Sequence, residues 1–532
     1  MSNGVTGGKF ATLADLQASR PSVDTIVLLM ERDNAEYIVR SAGTTPLFGD
    51  VVFANGNVGE LQRKSGSWIA TNFGAGIGGS ASDDTTGIQG MADRLLWNDS
   101  VIFPKGSEYK LNATINFPAT RKRVVAYGAK FTLQFDGVGF DLNPTADPLN
   151  IEAMAQSYGY WSGGEITSDI ISPTQTTAFK VYAIRQMKIE DTIIGDSSAT
   201  TIVNGIQIAA LGGHFMMNNR FLNVLSCFHC PIWATGTPSA PITTSTFLKN
   251  EFILPTNGKA FNVVGGWNRW NIEGGFVNGS GSETFHFDNN EDARELNIRS
   301  VGFEQAVAGG KFIFIEDVGG NPVSPVNIVD SSFNGDPAGG GHIAIDLQNV
   351  IAAKITGSRL EGTAAASNKM IQLDANCDNV TIDDTNRFAG DNIVINCSRR
   401  NVVIGKPIES KPYINLSGFA GNSFSSGSAT LNMKTLLGAE YPISPPLAYE
   451  LLVQARDLGS AASTSSRVEF MQTITDPTTK RAMINLRGVP NDERVGQTLV
   501  VNADGNGDIA YEVFASGAST TDIWVYLVAI RN

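Results

Sequence analysis

The sequence predicts an all-β chain wound as a parallel β-solenoid, a rod in which each turn lies on the one before it. Two repeating patterns and one missing period predict it. The first pattern is a short unit of two apolar residues flanking a single other residue: Phe179-Lys-Val181, Ile206-Gln-Ile208, Phe261-Asn-Val263, Phe285-His-Phe287, Ile313-Phe-Ile315, Ile343-Ala-Ile345, Ile371-Gln-Leu373 and Ile393-Val-Ile395. Alternation of period two marks a strand with one buried face. The second is a large apolar residue after a short polar or glycine-rich bend, at Ile166, Ile193, Phe221, Phe252, Phe276, Phe303, Phe333, Leu360 and Phe388. Its spacings of 27, 28, 31, 24, 27, 30, 27 and 28 keep step with the first pattern, so each unit returns the chain to the same place. No 3.6-residue apolar period persists from unit to unit, and β-branched and aromatic residues fill the repeated positions. Strands stacked about 4.8 Å apart satisfy their backbone groups between turns, and nine such turns make a rod of roughly 40 Å.

The elements follow in order. Residues 1–70 form a head or neck module with a short helical signal at Thr12–Gln17 and strand-like pieces around Ile26–Met30 and Val51–Ala54. Residues 71–125 hold a capping helix and the first turn. Asp83 and Asp84 supply the N-cap of a helix over 83–97, in which Ile88, Met91, Leu95 and Leu96 recur at helical spacing. An open solenoid end must be covered, and this helix is placed to cover it. The rod occupies 126–415. A Ser/Gly-rich join at 417–428 leads into 416–532, where alternating stretches such as Tyr449–Arg456 and Ile523–Ile530 predict a β-sandwich.

Composition narrows the function. With 39 basic against 52 acidic residues the net charge is -13, which argues against nucleic acid, because phosphate binding needs clustered Lys and Arg. No apolar run reaches the ~20 residues of a membrane span, and Met1–Phe10 has no signal-peptide core. Cys227-Phe-His-Cys230 has the spacing of half a zinc site, but no second pair follows, so all four cysteines are expected as buried thiols. Gly74–Gly79 fits a dinucleotide-loop pattern, yet the following helix opens on Asp83 and Asp84, which repel a pyrophosphate. Asp504–Asp508 resembles half a calcium loop but has Ala515 at the twelfth position, and reads as a hairpin turn. No cofactor and no metal are expected.

The segments Asn72-Phe-Gly-Ala75, Asp83-Asp-Thr-Thr-Gly-Ile-Gln89 and Val101-Ile-Phe-Pro-Lys-Gly106 with Tyr109 resemble the opening of pectate-lyase-like right-handed β-helices. Gly87 replaces the usual Ala, and one extra residue separates Gly106 from Tyr109. The preceding stretch, from Phe10–Asp15 through Val52–Gly56 to Trp68, looks like the module that precedes this cap in bacteriophage tailspikes. The resemblance covers roughly 10–110 by motif and 125–405 by repeat. It implies a right-handed helix and a homotrimeric virion protein that acts at the bacterial cell surface. Such a protein is joined to a phage tail or baseplate by its N-terminal module and binds and cleaves capsule or O-antigen. The C-terminal sandwich would serve trimerisation or carbohydrate binding. The family fixes no catalytic motif, so no residue is carried over from it.

Candidate chemistry therefore comes from stacking. The residues just after the second-pattern anchors are Glu304, Asn334, Glu361 and Ala389 in successive turns, which puts Glu304 and Glu361 two turns apart. That is about 9–10 Å, at the upper edge of the separation used by inverting glycosidases. Asp336 lies on the intervening turn, and its like charge would raise a neighbour's pKa. Glu304, Asp336 and Glu361 are the expected acid and base group. Asp288, Glu316, Asp346 and Asp374 form a second expected column, read mainly as turn carboxylates that cap local backbone N–H groups. Trp267 and Trp270, beside Arg269 and Glu273, are expected as a sugar platform, since pyranose faces stack on exposed rings. Arg294 and Arg359 would pair with uronate or sialate carboxylates, with structural salt bridges as the alternative. His286 alternates with Phe285 and Phe287 and is expected to point outward, a proton shuttle. Hydrolysis of a surface polysaccharide is the main expectation; a lyase, a non-catalytic adhesin and a secreted pectinase are its rivals.

Overall fold

The computed structural model covers the 532-residue chain and describes residues 6–404 apart from connecting segments, among them 77–82, 144–157, 231–241, 305–308, 317–321, 335–340 and 362–368. Beyond 404 it describes eight strands. The fold is the expected right-handed parallel β-helix, with a small mixed sheet before it. It divides into two compact units, Met1–Phe314 with Val318–Asn321, and Ile315–Asp317 with Pro322–Asn532.

The first unit opens with a five-stranded sheet in the order Thr6–Phe10, Ile26–Leu29, Ala35–Arg40, Val58–Leu61, Val51–Val52, parallel in its first pair and antiparallel in the rest. Thr12 caps the helix Leu13–Ala18 by accepting from the Asp15 amide. The capping helix runs Thr85–Asp93 and buries Ile88 and Met91. Asp84 is its N-cap residue, but its carboxylate does not bond the helix's own first turn as expected. It accepts from the amides of Gly76 at 2.7 Å and Lys110 at 2.8 Å, tying the helix to the chain before it and to the first coil. Helix and head module meet closely at Gly90, where a Cβ would lie 1.9 Å from the Phe48 ring, and Arg94 pairs with Asp50 at 2.7 Å with both side chains buried.

From Ser67 onward the chain builds three parallel sheets. In the first unit, the first sheet runs from Ser67–Ile69 to Arg294–Arg299, the second from Glu108–Leu111 to Gly302–Glu304, and the third from Ile115–Asn116 to Glu283–Asp288. Corresponding residues pair in register, so inward positions form columns. Phe179, Ile206, Phe228, Phe261 and Phe285 make one, and Phe228 and Phe285 hold ring centroids 5.0 and 4.7 Å from Phe261. Trp161 fills the narrow early turns, 4.8 Å from Phe140 and 4.9 Å from Phe179. Nearly every turn bends from first to second sheet through one left-handed residue, Asp191, Asn218, Lys249, Gly274 and Ser300 with φ between 51° and 63°. In the first four, its amide donates to the last strand residue of the next turn.

The second unit is itself wound through parallel sheets, with strands such as Ser324–Val329, Ile351–Thr356 and Asp378–Ile382, and its bends use left-handed residues, Asp330 and Gly357. Phe333, Leu360 and Phe388 lie opposite one another on adjacent strands, as stacking requires. Two four-stranded antiparallel sheets follow, the strand content expected of a sandwich. Gly496–Ala503 and Asp508–Phe514 pair antiparallel, and residues 504–507, where the sequence predicts a hairpin turn, lie outside the described residues.

Three register details differ from the sequence pattern. Ile166 lies opposite Ile194, not Ile193, and Phe252 lies opposite Val277, not Phe276. A slip of one residue turns a side chain to the other face, so Ile193 and Phe276 are half-exposed. Asp346 lies opposite Gln372, because Ile345 and Leu347 rather than Ile343 and Ile345 take the paired inward positions. The turn at Phe228 and Cys230 also belongs to the first pattern, with a cysteine where a larger apolar residue would have revealed it. All four cysteines are buried, and none is part of a disulfide.

Candidate functional site

Most bends from first to second sheet are two residues long, so the first and second sheets share one edge with little chain beside it. The third sheet differs. Chain enters it over spans such as Ser168 to Thr177 and Gly195 to Asn204, and leaves it over Asp141 to Tyr158 and Cys230 to Ile242. Long connections along both edges make its outer face the natural place for a site.

The outward positions of that sheet form a continuous file. Asn116, Asp141, Lys180, Gln207, His229, Asn262 and His286 stand in register on seven successive strands, at the roughly 4.8 Å strand spacing. Every member is polar. Lys180 Nζ contacts Asp141 Oδ2 at 2.8 Å, and the Asn262 amide nitrogen lies 3.2 Å from His229 Nδ1. Burial lowers the His229 pKa, and the charge of Lys259 adds to the effect.

Next to the end of the file sits a tight charged group. Lys259 Nζ lies 2.7 Å from Glu283 Oε2 and 2.8 Å from His286 Nδ1. An ammonium only donates, so Lys259 Nζ is the donor toward both the Glu283 carboxylate and the His286 ring. The ring stacks on Phe314 at 5.4 Å, and Lys311 Nζ stands 3.3 Å from the Phe314 centroid. Burial pushes the Glu283 pKa up, but the hydrogen bond and charge of Lys259, with His286 and Lys311, outweigh it and hold the carboxyl below its ordinary value. The arrangement offers an ionised carboxylate, an imidazole and two ammonium groups over a few strands. It suits hydroxyl-rich or anionic ligands.

His286 thus belongs to the file, but it is not open to solvent as expected. It is 8% exposed, because Phe285 and Phe287 do face inward while Lys259, Glu283 and Phe314 cover the outward ring. Trp267 and Trp270 are corrected outright. Both are fully buried, packed near Phe247, Phe261 and Phe287, and cannot stack on a sugar. Arg269 between them has φ 57°, and this left-handed residue breaks the alternation so that residues three apart both face inward. Arg269 itself pairs with Glu295 at 3.2 Å on the surface.

The remaining expected residues are dispersed. Glu273 and Arg294 are exposed on the first sheet. Glu304 is half-exposed on the second sheet opposite Asn278, and Glu361 lies opposite Asn334 in the second unit. Arg359 is exposed opposite Ser332 and Arg387. Asp336 lies outside the described residues. The expected acidic column does not form as such. Asp346 is fully buried and accepts from Gln372 Nε2 at 3.3 Å, while Asp374 Oδ1 accepts the amides of Asn349 and Asn376 at 3.0 and 3.1 Å, the turn role weighed for it. The residues missed from sequence, Lys180, Gln207 and Asn262, are the middle residues of the first pattern's own units, and the signal for them was there.

No protein-family model matches the chain, and no curated protein sequence does. Among solved structures, the gp42 tailspike of Acinetobacter phage vb_AbaP_AS12 superposes with a TM-score of 0.52 at 12% identity, over 96% of this chain and 94% of that one. The tailspike of Acinetobacter phage vB_ApiP_P1 gives 0.49 at 12% identity over 99% of both chains. The enzymatically active domain of tailspike protein 2 from bacteriophage CBA120 gives 0.46 at 12% identity, over 98% and 92%. At such identities the likeness is one of fold.

Proposed function

We propose that this chain is a phage tailspike that binds a bacterial surface polysaccharide, capsule or O-antigen, along its third sheet and depolymerises it by hydrolysis. One observation carries the reading: seven polar side chains repeat in register at strand spacing on the sheet that has long connections along both edges. A ligand that engages equivalent positions turn after turn must itself repeat, and a linear glycan does. The near full-length likeness in fold to a phage tailspike supports the same reading. In this reading the protein works as a homotrimer on the virion, anchored to a tail or baseplate protein through residues 1–70.

Hydrolysis needs a group that protonates the leaving oxygen and one that activates water. Glu283 is held ionised by Lys259 and suits binding or charge stabilisation rather than proton donation. Glu304 and Glu361, each the last residue of its strand, are the proposed acid and base, with Asp336 between them in sequence. Glu304→Gln and Glu361→Gln should each lower reducing-end release from the matched polysaccharide by about a hundredfold or more, in the range of lost acid–base catalysis, with the oligomer intact. Full activity in both removes them from the mechanism. A product absorbing in the ultraviolet as an unsaturated uronate makes the protein a lyase, and binding without any new reducing ends makes it an adhesin.

A further inference from the structure

We infer a second saccharide site on the outer face of the first sheet, built for an acidic sugar; the assignment rests on the polysaccharide-binding reading above. Arg123, Tyr160, Lys188 and Phe215 stand in register on four successive strands and alternate cation with aromatic ring. Arg123 Cζ lies 5.4 Å from the Tyr160 centroid, and Lys188 Nζ lies 5.1 Å from Tyr160 and 5.8 Å from Phe215. Such a strip presents ring faces for pyranose C–H groups and charges for a carboxylate.

The strip is held in place from below and beside. Glu190, 6% exposed, accepts from the Tyr160 hydroxyl and from Lys188 Nζ at 2.6 Å. Tyr127, 48% exposed, donates to Asp191 Oδ2 at 3.0 Å, and Asn218 Nδ2 donates to Asp191 Oδ1 at 3.2 Å. Gly163 makes room for Tyr127: its φ is 78°, and a Cβ there would lie 2.6 Å from the tyrosine ring. Two tyrosines are thus fixed with part of each ring open, at no ordering cost to a ligand.

Charge decides the occupant. Lys188 is neutralised by Glu190, but among the described residues no carboxylate lies within ion-pair reach of the exposed Arg123 guanidinium, in a chain of net charge -13. A neutral glycan would leave that cation unused; a uronate, sialate or pyruvylated sugar would pair with it. The face is distinct from the third-sheet file, so a long polymer has two places to hold the first unit.

The test uses the full chain on an array of uronate-, sialate- and pyruvate-bearing oligosaccharides with neutral counterparts. Wild type, Arg123→Gln, Phe215→Thr and the third-sheet variant Lys180→Gln are compared. Arg123→Gln is expected to weaken binding of acidic probes by about tenfold or more, the loss of a charge-assisted bond, and to leave neutral probes unchanged. Phe215→Thr should weaken both. If wild type binds no acidic probe, or Arg123→Gln binds as wild type does, the site is refuted. A changed oligomeric state in Arg123→Gln or Phe215→Thr would identify the strip as a subunit contact and refute it equally. Binding lost only in Lys180→Gln refutes this site while leaving the third-sheet reading standing.

Discussion

Asn250→Ala tests how the bends of the rod are fixed. Asn250 follows the left-handed residue Lys249, is 3% exposed, and directly precedes the second-sheet strand Glu251–Leu254. Its Nδ2 donates to the Met216 carbonyl at 3.0 Å, and its Oδ1 accepts from the Asn219 amide at 3.0 Å and from Asn219 Nδ2 at 3.1 Å. Asn219 repeats the arrangement one turn down, donating to Ile189 O at 2.9 Å and accepting from the Thr192 amide at 3.2 Å. Alanine at 250 strands two buried N–H groups at Asn219, its main-chain amide and one Nδ2–H, and takes one bond from the Met216 carbonyl. At about 1–3 kcal/mol for each of the three groups, the loss is about 3–9 kcal/mol. Because the turns are stacked, that loss falls on local opening before global unfolding. Hydrogen exchange read by peptide mass spectrometry should show the Asn219 amide losing at least about thirtyfold of its protection, the equivalent of ~2 kcal/mol. The double variant Asn219→Ala with Asn250→Ala should be non-additive by about 1 kcal/mol or more, since the two share bonds. Unchanged protection at Asn219, or strict additivity, would show that packing alone sets the bend and would refute the ladder.

Two further outcomes follow from burial. His214 is 1% exposed, neither ring nitrogen has a hydrogen-bond partner among the described residues, and burial lowers its pKa to about 4. Between pH 4 and the unfolded value near 6.5, only the unfolded chain takes up this proton, so stability falls as pH drops through that window. The fall amounts to about 3 kcal/mol, and His214→Met should flatten it in denaturation measured from pH 4 to 7; an unaltered slope refutes the assignment. Burial also pushes the thiol of Cys227 well above its ordinary pKa and that of Cys377 up to about 12. Neither should react with a thiol reagent at pH 8 until the chain is unfolded, and mass spectrometry finding Cys227 modified in the native protein would contradict its burial.

The rod was legible in the sequence because stacking forces inward positions to repeat, and eight of its turns announced themselves through paired apolar residues. What stayed hidden was register at the level of one residue. Ile193 and Ile194 are chemically identical, and Phe276 and Val277 are both apolar, so composition cannot say which faces in. The tryptophans failed for a related reason. Strict alternation would put Trp267 and Trp270 on opposite faces, and only the left-handed backbone at Arg269 brings both inside. A positive φ at an arginine has no sequence signature, since the residues that favour it are Gly, Asn and Asp.

The site was harder to read than the rod because it is written across turns rather than along the chain. Glu283 and Lys259 are 24 residues apart, and nothing local to either marks them as partners. Yet Phe179-Lys-Val181, Phe261-Asn-Val263 and Phe285-His-Phe287 each place one polar residue between two that must be buried. In a strand that polar residue has only one direction left, outward, and registered stacking then sets it over its counterpart in the turn below. The inward residues therefore fix where the outward ones stand without constraining what they are. A rod of this kind can change its ligand by exchanging the middle residue of each unit while its core columns stay unaltered.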